Sequence, residues 1–167
     1  TMFRIGSISK PILATAVMRL VQDGRVDLDA PVRTYLQDAP QAWNGITLRH
    51  LLSHSAGLVR DPDDFNPLKP QPTGAQIRAS AYRQRLASTP GEKVSYSNMG
   101  YAVIAELIGA VAGRPWADYV AEHVFKPAGM TSTHLYTRTE APNRARGYSD
   151  NDKLLAAVDW VAVPASG

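Results

Sequence analysis

The sequence contains no cysteine in its 167 residues, which excludes disulfides and thiolate-held metals without choosing a compartment. No stretch approaches the ~18 uninterrupted apolar residues needed to span a bilayer. There is no repeat of solenoid length and no low-complexity tract. Charge of one sign is scarce too. The net charge is +3, and the 18 lysines and arginines are scattered rather than interleaved with aromatics, which argues against a nucleic-acid partner. What remains is an ordinary globular composition, 44% hydrophobic, over a length that can bury one proper core. The chain starts at Thr1-Met2-Phe3 and stops at Ala165-Ser166-Gly167 without a closing helix or strand, so both ends read as cut.

The distinctive residues open the chain. In FRIGSISKP, Gly6, Ser7 and Lys10 stand just ahead of a strongly apolar helical run. Residues three apart share a helix face, so the Ser7 hydroxyl and the Lys10 amine can meet. A serine hydroxyl is a poor nucleophile near neutral pH and needs a base within hydrogen-bond reach. Lysine can be that base only as the neutral amine, which requires burial or a nearby positive charge. A helix N-terminus adds a field that favours negative charge on an attacked carbonyl oxygen, and Gly6 permits a tight turn before it. Ser7 is therefore a candidate nucleophile and Lys10 its activating partner. One S-x-x-K arises about once by chance at this length, and the plain alternative is an N-cap serine beside a solvated lysine.

Helical spacing of Ile12, Leu13, Ala16, Val17, Leu20 and Val21 predicts a helix over residues 7–23, with Pro11 in its first turn and Gly24 ending it. Residues 25–28 are too short for more than a bridge strand, and Asp29-Ala30-Pro31 opens a short helix ending near Leu36. In ITLRHLLSHSAGL, Thr47 caps a helix that Gly57 stops. His50 and His54 are four apart on that helix, as zinc ligands can be. Leu51, however, stands where a zinc peptidase carries glutamate, so no metal is assigned. The expected role of both histidines is hydrogen bonding to carbonyls near the helix C-terminus.

Residues 59–72, acidic and then proline-rich, form a surface loop that is either a pocket rim or lid, or a plain connector. Thr73 caps a helix over 73–87. Helices follow over 99–112 and 116–125, the first largely buried with Gly113 past its end, the second opened by Pro115 and closed before Pro127. THLYT, from Thr133, reads as a short extended stretch.

EKVSYSNMGY is the second stretch that can carry chemistry. Tyr96 and Asn98 are two apart and point the same way if the backbone is extended. A phenol beside an ammonium loses or relays a proton more easily, and a carboxamide can accept from lysine while donating to a substrate carbonyl. The plain alternative is a buried tyrosine followed by a helix-capping asparagine.

Taken together, FRIGSISKP, HLLSHSAGL, PGEKVSYSNMGY and FKPAGM resemble, in order and spacing, the serine β-lactamase-related family of class C β-lactamases, D-alanyl-D-alanine carboxypeptidases and related esterases. The resemblance extends from Phe3 to Gly167. It implies an α+β fold, of which this chain is mainly the helical lobe of a β-lactamase/DD-peptidase-like domain. Most of the antiparallel sheet would be missing at both ends, so residues 1–167 would be one incomplete domain.

By the same resemblance Ser7 is the acylated nucleophile, Lys10 its base or proton relay, Tyr96 the partner base or acid, and Asn98 a ligand of substrate and lysine. Whether Lys10 or Tyr96 takes the proton on acylation stays open. Residues 144–148 resemble the family's arginine-glycine-tyrosine turn. The implied substrate is a small-molecule ester, amide or peptide, with an esterase or D-alanyl peptidase favoured over a dedicated β-lactamase. No cofactor is implied, because serine, lysine and tyrosine suffice for acyl transfer. The implied localisation is bacterial export, periplasmic or secreted. The alternative is a non-catalytic member that acts as a binding or scaffold protein. The family's third motif, lysine or histidine, a variable residue and glycine, has no counterpart here, and neither do the opening strands. The isolated stretch is therefore expected to be inactive or nearly so, and to expose apolar surface prone to association.

Overall fold

The computed structural model describes residues 1–61, 73–135 and 143–145. The first helix, α1 (Ser9–Gln22), forms because Leu13, Ala16, Val17 and Leu20 recur at helical spacing and bury one face almost completely. Lys10 continues that stripe one turn towards the N-terminus and is itself only 5% exposed. Gly24 closes the helix in the left-handed conformation. Its N–H donates to Val21 O and the Arg25 N–H to Leu20 O, which satisfies two orphan carbonyls. The helix starts two residues later than expected, because Gly6–Ile8 form a separate 3₁₀ turn. Ser7 lies in that turn and does not cap α1.

The other helices are α2 (Leu48–Leu52), α3 (Gly74–Arg83), α4 (Asn98–Ala112) and α5 (Trp116–Val120). α4 is the centre of the molecule. Met99 to Ala105, Leu107 and Ile108 are all buried, so it is apolar on nearly every side, and α1, α2, α3 and α5 pack around it. Each Leu or Ile buried there is worth ~1.5–3 kcal/mol against exposure.

Several elements are shorter than their sequence patterns suggested. α3 stops at Arg83 because the Ala87 N–H turns to Gly57 O at 2.8 Å, a tertiary partner that replaces a helical one. Gly57 has φ +77°, and a Cβ there would lie 2.2 Å from Ser88 O, so only glycine fits. α2 ends five residues before that glycine. The expected helix after Pro31 is a 3₁₀ turn, Val32–Thr34, and the local bridge joins Pro31 to Thr47 rather than residues 25–28. α5 runs on into a π-helical turn, Ala121–Phe125, where the Lys126 N–H donates to Ala121 O.

Among the described residues there is no strand longer than an isolated bridge; the second such bridge pairs Met2 with Arg144. Most of the proline-rich loop (62–72), the end of THLYT (136–137) and residues 146–148 of the arginine-glycine-tyrosine turn lie outside the described residues. No helix among the described residues is long and apolar enough to cross a membrane. A cavity of about 460 Å³ lies between residues 1–5, α1 and the α5 region, lined by Phe3, Ile5, Ile12, Trp116 and Phe125 among others. Phe3, at its edge, is 72% exposed.

Candidate active site

Two segments far apart in the chain meet to form the polar cluster. The turn before α1 supplies Ser7 and the first turn of α1 supplies Lys10. The extended stretch leading into α4 supplies Tyr96, and the first residue of α4 is Asn98. α4 starts where it does because the Ser97 hydroxyl caps it, accepting from the Gly100 N–H at 3.0 Å and donating to Val59 O at 2.7 Å. The cap is therefore serine and not asparagine, which leaves the Asn98 side chain available. Tyr96 is 39% exposed, so it is no buried tyrosine.

All four side chains singled out from the sequence join one connected network. Ser7 Oγ lies 2.6 Å from the Tyr96 hydroxyl, and Lys10 Nζ donates to Ser7 Oγ at 3.0 Å. Lys10 Nζ also donates to Asn98 Oδ1 at 2.9 Å and sits 4.6 Å from the centre of the Tyr96 ring. Asn98 Nδ2 donates to Asp61 Oδ1 at 2.7 Å. Lysine can only donate and carboxylate can only accept, so these two contacts fix which way the Asn98 amide faces. One of its two N–H bonds is taken by Asp61, and the second is left for another acceptor.

Burial works to raise the Tyr96 pKa, but it is outweighed. Hydrogen bonds with Lys10 and Ser7, together with the positive charges of Lys10 and Arg60, bring the phenol below its ordinary value. The neighbouring Tyr101 goes the other way, raised by burial and then by the charge of Tyr96. Two adjacent phenols are thus pushed apart, and the one that touches serine is the more acidic. The 460 Å³ cavity holds none of the four cluster residues, and the cluster lies on an open face where Ser7 is exposed.

The histidines depart from their expected roles. His50 Nδ1 accepts from the Thr47 N–H, closing a capping box at the start of α2, and His54 Nδ1 accepts from the Ser97 N–H at 3.1 Å. Both take backbone N–H groups rather than giving to carbonyls. His54 also lies beyond α2, in a left-handed conformation, so the two do not share a helix face. Among the described residues no group of histidines and acids is arranged to hold a metal. Asp61 and Arg60 were missed as neighbours of the site. Their only sequence signal was membership of a loop read as a possible rim, and nothing in their spacing pointed at Asn98.

The family model described as Beta-lactamase matches residues 1–167. The putative penicillin-binding protein PbpX of Bacillus subtilis is 34% identical over 149 residues, a match covering 89% of this chain and 37% of that protein. The esterase EstB of Burkholderia gladioli is 34% identical over 146 residues, covering 78% of this chain and 37% of the esterase. Among solved structures, the D-amino acid amidase of Ochrobactrum anthropi with L-phenylalanine amide superposes with a TM-score of 0.83 at 30% identity, over 98% of this chain and 50% of the amidase. The chain thus spans little more than a third of these curated relatives and about half of the amidase. The described residues correspond in fold to the helical part of such enzymes.

Proposed function

The chain belongs to the Beta-lactamase family, and on that premise we propose that it carries the nucleophile and proton-transfer groups of a serine hydrolase that cleaves an ester or amide through an acyl-serine intermediate. The observation that carries the reading is the double engagement of Ser7 Oγ, held by the Lys10 ammonium at 3.0 Å and facing the Tyr96 phenol at 2.6 Å. An unactivated surface serine has neither partner.

In this reading Lys10 donates to Ser7 Oγ and to Asn98, so its role is to place positive charge, and Tyr96 is the proton acceptor. Tyr96 enters the step as phenolate, the form that its lowered pKa favours. Ser7 Oγ attacks the substrate carbonyl carbon while its proton passes to the phenolate oxygen, leaving a neutral phenol. The bond from that carbon to the leaving oxygen or nitrogen then breaks, and the leaving group departs with the proton from Tyr96. Water repeats the sequence in reverse and frees the acid from Ser7. Asn98 keeps one N–H for the acyl part of the substrate. Relatives named as an esterase, a D-amino acid amidase and a D-alanyl-D-alanine carboxypeptidase support a small ester, amide or peptide as substrate. Part of the oxyanion-binding surface would come from outside residues 1–167, so the isolated stretch turns over little or nothing.

The test is intact mass of the full-length protein after incubation with a penicillin and, separately, a fluorophosphonate, beside Ser7→Ala. A stoichiometric adduct present only with Ser7 is expected, and the probe that reacts separates penicillin recognition from esterase chemistry. A folded protein that takes up neither probe is instead a non-catalytic member of the family.

A further inference from the structure

His54 is a residue the reaction above does not use, and its placement is unusual in three ways. Its backbone is left-handed, with φ +59°, uncommon for any residue but glycine, though histidine is among those that enter the region more readily. It touches the stretch before α4 at three successive residues. Its carbonyl accepts from the Ser95 N–H at 2.8 Å, its ring lies 4.6 Å from the Tyr96 ring at a 33° tilt, and its Nδ1 accepts from the Ser97 N–H at 3.1 Å. Tyr101 also lies against the imidazole, its ring centre 5.2 Å away at a 43° tilt. Glycine or asparagine would also satisfy that backbone, but neither would supply the ring that meets Tyr96 and accepts from Ser97.

We propose that His54 is the positioning residue for Tyr96: it clamps residues 95–97 from beneath, aims the phenol at Ser7 Oγ, and does so only while Nδ1 carries no proton. This rests on the reading of Ser7 as the nucleophile. The reason lies in the hydrogen bond. Nδ1 can accept from the Ser97 N–H only when unprotonated, and a protonated ring would turn that acceptor into a donor facing a donor. The titratable groups that face the ring are Lys10 on α1, Tyr96, and Tyr101 on α4. Burial and then the Lys10 charge hold the imidazole below its ordinary pKa of 6.5, which keeps the clamp closed in neutral solution. As pH falls below that, the clamp opens and Tyr96 loses its aim.

The experiment compares the full-length wild type, His54→Gly, His54→Asn and Ser7→Ala by three readouts. These are the rate of fluorophosphonate labelling of Ser7 across pH, the titration of the Tyr96 phenol by ¹³C-tyrosine NMR (assigned with Tyr96→Phe), and thermal melting. His54→Gly should melt no lower than wild type, because it relieves the backbone. It should label Ser7 about ten- to a hundredfold more slowly, the scale of a misplaced catalytic group, and its Tyr96 phenol should titrate higher. His54→Asn puts an amide oxygen where Nδ1 stood and tolerates the left-handed backbone. It should restore most of the labelling and lack the wild type's further fall in the imidazole range, keeping only the fall that the Tyr96 phenol itself imposes.

Labelling at the wild-type rate in His54→Gly, or an unmoved Tyr96 titration, overturns the positioning role. A fall in the imidazole range that is unchanged in His54→Asn overturns its dependence on Nδ1. If wild type and Ser7→Ala label alike, the nucleophile reading is what has failed, and the Tyr96 titration in His54→Gly still decides whether His54 holds the phenol.

Discussion

Lys10 and Leu20 lie on one stripe of α1 and are equally hidden from water, at 5% and 0% exposure, yet they are held by different physics. Leu20 is defined by volume: any apolar side chain of its size would serve, and an empty space would not. Lys10 is defined by partners. Its ammonium donates to Ser7 and Asn98 and faces the Tyr96 ring, and no residue of equal size replaces that set. A buried position can therefore be core or chemistry, and only the list of neighbours tells which.

The comparison is broken most severely at Lys10. Lys10→Gln should lower the rate of Ser7 acylation by about 10²–10³, the range for loss of one preorganised electrostatic partner. Its melting temperature should hold or rise, because a desolvated ammonium is removed. A variant that instead melts like a core deletion would make Lys10 structural. Leu20→Ala gives the mirror result. Unfolding in urea should show a loss of ~2–5 kcal/mol, while labelling per folded molecule stays unchanged.

Ser97→Ala sits between the two, because this hydroxyl both caps α4 and borders the site. A loss of ~1 kcal/mol by chemical denaturation is expected, together with a modest fall in labelling. A large fall in either alone would assign it to one side. The smallest effect is expected at Asp29→Asn. The Asp29–Arg49 pair is close, at 2.6 Å, but its side chains are 64% and 56% exposed, so salt and solvent should leave neither melting nor labelling measurably changed.

The same contrast explains what was legible in the sequence. Helix α1 and its apolar face could be read from spacing, because helical period and burial coincide there. Ser7, Lys10, Tyr96 and Asn98 were legible as residue types at meaningful separations, before any contact between them was known. Lys10's burial had a signal that was not used, since positions 10, 13, 17 and 20 share one stripe. α2 is closed locally, where His54 turns left-handed and the Ser55 N–H donates back to His50 O, a stop that glycine did not mark; after α3 the chain instead takes a tertiary partner, Ala87 pairing with Gly57. Asp61 was invisible for a similar reason: its one informative contact is with a residue 37 positions away. His54 was noticed for the wrong chemistry, since its spacing from His50 suggested a helix face that α2 does not extend far enough to provide.

The 89-residue separation of Ser7 from Tyr96 also has a meaning for how the protein is born. A ribosome adds roughly 5–20 residues per second, so Ser7 leaves it several seconds or more before Tyr96 is polymerised, and Asn98 follows Tyr96 directly. Until then the serine is an ordinary alcohol. If Ser7 is the nucleophile proposed above, its set of partners is complete only when the long loop between the two segments closes and α4 docks on α1, a late event by the logic of loop entropy. On that reading a nascent or half-folded chain carries Ser7 without its proton acceptor, and so is guarded against acylating itself on passing esters before Tyr96 is in place.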